Sequence, residues 1–514
     1  MPLEPTQPST SLDREVSSFG VRRRLDLRVL ELGLFCGLIA FAAFLTNATH
    51  ALLDDGPQLV QDFGSPDAPP IWNHVLYFPV ARAIAAFGCT ADQALLLTSC
   101  ASGAVIVAAA AMCAWMVTGR RSIGAFTAAA TMTAPVVATH STFIEVHALH
   151  GACVAIALLA MLACPPRTVV LFGVATVGAV LADLSHRSAM LLAPALGAVA
   201  ASRFSQARQT VSLATFRGML AVSLGLAVAS LIDERLHGAW GGPGLIASIQ
   251  QVDAASPASL TIMLVDETAM TIGPLLAFCA MAAAVQAWSD RARIGTALLL
   301  VAPAAALSIY CVAIVIAAVP TQGGYWMGAL PFLALAFAQC AARWLPLLAR
   351  GSLLARAGIL GAIAIGAVLT VQTMWGDATR ISLERQREQR ASWASTLLPL
   401  GGHLLATSLS KQHVDGVSPG VREHDFGPEI ARRLIAGHSP ESIAAELRLC
   451  IDRLFATDAG APLVWTCEWR GTEGALAFEA ALLRIEAIAF AGLRTTPVHF
   501  GPFDGMRIAS VERH

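Results

Sequence analysis

Charge is the scarcest commodity in this chain. Only 13% of its 514 residues are Asp, Glu, Lys or Arg, about half the share carried by a soluble domain. In their place stands 56% hydrophobic residues and a mean hydropathy of +0.63. Lysine is almost absent: Lys411 is alone, so nearly every basic residue is Arg. The net charge of −1 excludes a nucleic-acid partner held by bulk electrostatics. The eleven cysteines contain no Cys-x-x-Cys pair and no His/Cys group at zinc spacing, which excludes the common structural zinc modules. No repeat of roughly 20–50 residues is visible, which excludes a solenoid.

What is present is a series of apolar runs long enough to cross a bilayer. Eleven are read, at 29–46, 94–117, 122–139, 147–164, 168–183, 187–202, 217–232, 268–288, 294–317, 325–342 and 357–374. Arg placement orients them. With a cytoplasmic N-terminus, Arg22, Arg23, Arg24, Arg28, Arg120, Arg121, Arg167, Arg203, Arg208, Arg291, Arg293, Arg343, Arg350 and Arg356 all lie inside. The opposite loops hold Arg82, Arg187 and Arg235. That is a positive-inside pattern repeated at every loop, and it indicates a bacterial inner (plasma) membrane protein of many passes. An odd number of spans puts the C-terminal segment outside. Residues 1–28 read as a cytoplasmic tail, polar and Pro-bearing over 1–20. The first run is longer than a typical signal-peptide core and lacks a small-x-small cleavage site.

Residues 376–514 are different material. Charge rises across Arg380–Arg390. Short strand-like runs appear at Leu404–Leu409, Leu463–Trp469 and Thr496–Phe500, and helical spacing at Pro428–Ala436 and Pro440–Phe455. Ser439 followed by Pro440 is a helix start, with Ser as N-cap and Pro at N1. The expectation is a small extracytoplasmic α/β domain. Cys450 and Cys467 fall inside it, and they either pair or stay as buried thiols.

The outer side collects the polar residues. The first outer loop, 47–93, carries the acidic pair Asp54-Asp55, then Asp62, Asp67 and His74, then an amphipathic stretch Val75–Phe87 suited to the interface. The next outer connection carries His140, Glu145, His147 and His150; the third carries Asp183, His186 and Arg187. Carboxylates this close to lipid are functional hypotheses by default. Blander readings stand beside them. Asp54 and Asp55 can simply end a helix in water, and the histidines can cap helices or sit among headgroups. Glu145 can offset a helix dipole, and Asp183 can pair with Arg187.

Three segments resemble a known family. Asp54-Asp55-Gly56-Pro57 through Pro66-Asp67-Ala68-Pro69-Pro70 is similar to the first luminal loop of GT-C glycosyltransferases of the protein-O-mannosyltransferase-like branch. Thr142–His150 is similar to that branch's Glu-Val-Tyr-x-Leu-Asn segment. Ala182–Ala195 is similar to its Leu-Gly-Asn-His segment. Asp55 and Pro57 replace the family's Ser and Glu, and His147 and His150 replace its Tyr and Asn. Further on, Gly323-Gly324-Tyr325-Trp326 looks like the start of a late span of that fold. The resemblance implies an all-α polytopic membrane protein of GT-C type, with about eleven transmembrane helices over 29–375. It implies transfer of a sugar from a polyprenyl-phosphate carrier to a glycan, lipid or protein acceptor at the outer face. Asp54 matches the family's Asp and would serve as general base. His186 and Arg187, with His74, His147 and His150, would receive the donor phosphate. Asp54, Asp55 and Glu145 are alternatively ligands for a divalent cation such as Mg²⁺ or Mn²⁺. Rival readings are a flippase for lipid-linked sugars and a non-catalytic membrane scaffold. A flippase would place charges at mid-span in repeated halves, and neither feature is seen.

Overall fold

The computed structural model describes residues 25–49, 56–64, 74–206, 210–237, 326–350, 378–407, 420–427, 437–458, 460–470 and 479–509, with a few single positions between them. The expected spans at 268–288, 294–317 and 357–374, and Asp54, Asp55 and Asp67, lie outside the described residues.

Apolar runs with few breakers become helices because a membrane leaves no other partner for backbone N–H and C=O groups. α1 is Leu27–Thr46, started by the Asp26 side chain accepting from the Val29 N–H at 2.9 Å. The first outer loop contains two short helices, α2 (Gly56–Gly64) and α3 (Tyr77–Ala85). α3 is the core of the amphipathic stretch: it buries Tyr77, Phe78 and Ala81 and leaves Arg82 over the Phe78 ring. α4 is Ala91–Thr118. The single span expected at 122–139 is instead two helices, α5 (Arg121–Met132) and α6 (Pro135–His140). Pro135 lacks an N–H and clashes with the preceding turn, so it starts a helix and cannot continue one. α7 (His147–Ala163) and α8 (Thr168–Ser185) follow. The next run opens as a 3₁₀ turn, η1 (Arg187–Leu192), before α9 (Ala193–Gln206) and α10 (Val211–His237). α11 is Trp326–Arg350. Among the described residues, α1, α4, α8, η1 with α9, and α10 are long and apolar enough to cross a membrane, and α7 and α11 are shorter apolar helices. The protein is a multi-pass membrane protein.

Close helix contact rests on small residues, as expected inside lipid. A Cβ on Gly178 of α8 would meet the Ala157 methyl at 2.9 Å, and one on Gly151 of α7 would meet the Met327 carbonyl oxygen at 2.9 Å. Arg203, in the last turn of α9, is buried. Its Nη2 and Nε donate to the carbonyls of Cys164 and Met161, satisfying the C-terminal turn of α7.

The C-terminal residues form a five-stranded mixed sheet in the order β2-β1-β3-β5-β4. The strands are β1 (Gly402–Thr407), β2 (Val421–Asp425), β3 (Leu463–Cys467), β4 (Arg494–Phe500) and β5 (Phe503–Ala509). β1 pairs parallel with β2 and β3; β5 runs antiparallel to β3 and β4. Alternation sorts the two faces. Leu405, Leu463 and Trp465 pack under α13 (Pro440–Thr457) and α14 (Glu479–Ala489); Leu404, Val421, Val464 and Phe500 pack under α12 (Ala378–Leu397). Ser439 caps α13, accepting from the Ser442 N–H. Cys450 and Cys467 are free thiols, and Cys467 Sγ accepts from Thr407 Oγ1 at 3.3 Å.

The chain divides into two compact units. The first holds 1–48, 69–84 and 96–376. The second holds 49–68, 85–95 and 377–514. The C-terminal unit therefore takes in α2 and the first turn of α4, which the sequence assigned to the membrane domain.

Candidate active site

Within the first unit, the connection before α7, the connection after α8 and His74 come together. Ring centroids lie 4.6 Å apart for His74 and His186, 4.9 Å for His147 and His186, 5.2 Å for His150 and His186, and 6.0 Å for His140 and His147. His140, His147, His150 and His186 are buried. α7 begins at His147 and α8 ends at Ser185, so the start of one helix and the end of the next meet at one spot. His74 lies just before α3, and Leu76 in the intervening turn donates its N–H to the Leu184 carbonyl at 3.2 Å.

Serines fix the proton positions. Ser185 Oγ donates to the Ala182 carbonyl at 2.6 Å, so its hydrogen is spent, and it accepts from His150 Nδ1 at 3.1 Å. His150 Nε2 then accepts from Ser188 Oγ at 3.4 Å. His186 Nδ1 accepts from the Ser188 N–H at 2.9 Å, which puts the proton of the neutral ring on Nε2. His74 Nδ1 faces the Ser185 carbonyl at 3.4 Å and must donate to it, leaving Nε2 as an acceptor. Burial pushes the His74 pKa down to about 4, and burial with three neighbouring imidazoles holds His186 well below the usual range. His74 and His186 are thus both held toward the neutral form.

Glu145 is fully buried at the start of α7. Its Oε1 accepts from the Val146 N–H at 2.7 Å and lies 3.8 Å from His147 Nε2, while its backbone exchanges hydrogen bonds with Ser99 Oγ. This is helix-start chemistry, one of the two roles the sequence left open. Arg187 does not take Asp183 as its ion-pair partner. Nη2 bonds Asp233 Oδ2 of α10 at 2.8 Å. Asp183 is buried on α8, and the Arg187 Nε and Asp183 Oδ1 atoms have no hydrogen-bond partner. Among the described residues, no group of three or more His, Cys, Asp or Glu is disposed to hold a metal ion. Of the three carboxylates the sequence offered to a cation, Asp54 and Asp55 lie outside the described residues, and Glu145 accepts from the backbone at the start of α7.

Sequence reasoning met Ser185, Ser188 and Gly324 only inside longer segments and gave them no role of their own. Gly324 precedes α11, and a Cβ there would meet His147 Nε2 at 2.8 Å. The glycine lets the start of α11 approach the cluster.

The helix order, the break at Pro135 and the C-terminal mixed sheet together make up the fold of the described residues. Two solved structures share it: ArnT from Cupriavidus metallidurans bound to undecaprenyl phosphate, with a TM-score of 0.55 and 13% identity over 93% of this chain and 98% of that one, and ArnT from the same organism in the apo state, with a TM-score of 0.52 and 13% identity over 92% and 97%. No protein-family model and no curated protein matches the chain. The likeness is one of fold, and it does not single out the protein-O-mannosyltransferase branch.

Proposed function

We propose that this protein is a membrane glycosyltransferase that moves a sugar from a polyprenyl-phosphate donor to an acceptor at the outer face of a bacterial inner membrane. The observation that carries the reading is the convergence of His74, His147 and His186 at the outer ends of α7 and α8, in a fold shared with a protein whose structure holds undecaprenyl phosphate.

The chemistry fits. As the glycosidic bond breaks, charge grows on the lipid phosphate, and preorganised donors stabilise it best in a dry site. His186 Nε2–H is such a donor. A phosphate dianion beside His74 and His186 raises their pKa values, since an opposite charge favours the protonated form, so the rings gain charge as the leaving group does. His150, with both ring nitrogens held by serines, orients the cluster. Arg187, tied to Asp233 through Nη2, offers its Nε at the margin. Glu145 holds the start of α7 and thereby His147. The base that takes the acceptor proton is Asp54, on the strength of its match to the family's first-loop Asp.

Asp54→Asn keeps the side-chain shape and removes the charge. General-base assistance is worth about 10²–10⁴-fold, so sugar transfer should fall by that order while expression stays at wild-type level. Asp55→Asn should cost less. Wild-type transfer by Asp54→Asn, or a dead Asp55→Asn beside an active Asp54→Asn, overturns the assignment.

A further inference from the structure

Two buried polar atoms at the end of α8 hold no hydrogen bond among the described residues. Asp183, in the last turn of α8, is only 3% exposed, and its Oδ1 has no partner. Arg187 opens η1 four residues later. It commits Nη2 to Asp233 Oδ2 of α10 at 2.8 Å, and its buried Nε–H meets no acceptor. Asp183 is within electrostatic reach of both Arg187 and Asp233, so the three groups form one cluster inside the first unit. Val180 and Ala229 stand one turn earlier on the same faces of α8 and α10. They pack with Leu184 and Val75, which makes an apolar wall on that side of the cluster. The Arg187 side chain is a quarter exposed, which leaves an approach from the surface. Native folds rarely leave a buried polar atom empty, and a charged group is the costliest to strand. The chemistry of the two atoms narrows what fills them. A carboxylate oxygen accepts and a guanidinium N–H donates. The guanidinium repels a metal cation, and the two carboxylates repel an anion. A hydroxyl satisfies both atoms at once: its oxygen accepts from Arg187 Nε–H, and its hydrogen goes to Asp183 Oδ1. Charged partners make both bonds stronger than neutral ones, and dry surroundings strengthen them further.

We infer that Asp183 and Arg187 form a subsite for one hydroxyl group of the carrier-linked sugar. The inference rests on the glycosyltransferase reading and deepens it, since it names residues that tell one sugar from another. The placement suits the role. Ser185 and His186 lie between the two residues in the chain, and both belong to the histidine cluster that receives the phosphate. The end of α8 thus carries phosphate-binding and sugar-binding groups within about one turn. The blander role for Asp183, ion-pair partner of Arg187, is filled by Asp233. A site built to bond a hydroxyl rejects the analogue that lacks it, because its own buried groups are then stranded. Asp183 and Arg187 are therefore specificity residues.

The test measures binding to the full-length protein in nanodiscs. The probes are undecaprenyl phosphate and the same carrier bearing mannose, glucose, galactose or ribose. Wild type should bind at least one sugar-bearing carrier at least tenfold more tightly than the bare one. Single deoxy analogues of that sugar should then reveal one hydroxyl whose removal costs wild type at least tenfold. The same removal should cost Asp183→Asn and Arg187→Lys little. Asp183→Asn keeps the shape and loses the charge; Arg187→Lys keeps a charge for Asp233 and loses the Nε–H. Either variant completes the comparison if the other does not accumulate. No preference for any sugar-bearing carrier in wild type overturns the subsite. So does a wild type indifferent to every deoxy change, and so does a deoxy penalty as large in the variants as in wild type. Wild type that shows the hydroxyl penalty but moves the sugar to no acceptor supports the subsite and retires the glycosyltransferase reading.

Discussion

At the scale of single residues, the histidines were legible because polar side chains stand out against apolar runs. His140, His147, His150 and His186 sit at the outer ends of predicted spans, and all four join one cluster with His74. Their partners were not legible. Ser185, Ser188 and Gly324 are small residues of the kind that pack any membrane helix, and nothing in the chain order marks them as tautomer-setters. Arg187 shows the same limit. Asp183 is its neighbour in sequence, yet Asp233 of α10 is its partner in space. The buried state of the cluster has a pH consequence. His74 titrates at about 4 in the fold and near 6.5 when unfolded. The unfolded chain binds the proton first, so the stability due to the neutral ring is complete above about pH 6.5 and is lost as pH falls toward 4. His74→Asn can still donate to the Ser185 carbonyl and does not titrate. Thermal unfolding in detergent should lose midpoint temperature between pH 6.5 and 4 in wild type, with a shallower loss in His74→Asn. Parallel slopes would contradict the assignment of His74 as a buried neutral ring.

At the scale of elements, long apolar runs read well and charged segments read poorly. α1, α4, α7 and α8 fall close to their expected bounds because the apolar run alone decides them, while α10 (Val211–His237) runs past the expected 217–232 at both ends. The span expected at 122–139 breaks at Pro135, where the hydropathy hides a stop that the ring imposes. β2, Val-Arg-Glu-His-Asp, escaped notice because its charges have jobs: Glu423 faces Arg390, and His424 Nε2 meets His403 Nδ1 at 3.1 Å. α12 read as a charge run, and its buried Arg387 and Arg390 are invisible without their partners. The Glu423–Arg390–Glu468 triad makes a sharp expectation. Two carboxylates hold the guanidinium in its charged form against burial, raising its pKa above the usual value. Arg390→Met removes the cation and leaves two sealed carboxylates facing each other. Breaking a buried pair in this way costs about 3–5 kcal/mol, so the C-terminal domain should melt well below wild type. Adding Glu423→Gln and Glu468→Gln should recover much of the loss. An Arg390→Met variant that melts with wild type would mean the triad is solvated.

At the scale of the whole molecule, the Arg asymmetry and the Arg387–Asp92 pair point the same way. By the positive-inside pattern α4 begins outside and ends at Arg120 and Arg121 inside. Asp92 is in its first turn, and Arg387 belongs to the C-terminal unit. On that reading the C-terminal unit, which holds both residues of the pair, is expected outside the cytoplasm, in keeping with the odd number of spans read from the sequence. A reporter active only outside the cytoplasm, fused after His514, should be active. Activity of a cytoplasm-only reporter there would overturn the topology and the placement of every outer loop.

The central claim is that the histidine cluster receives a polyprenyl phosphate. Binding of undecaprenyl phosphate to the purified protein in nanodiscs, compared with undecaprenol of the same length, isolates the phosphate. Wild type should bind the phosphate form at least tenfold more tightly, a difference of about 1.4 kcal/mol or more, and His186→Ala should erase most of that preference while leaving undecaprenol binding as it was. Equal binding of the two lipids by wild type, or an undiminished preference in His186→Ala, would contradict it.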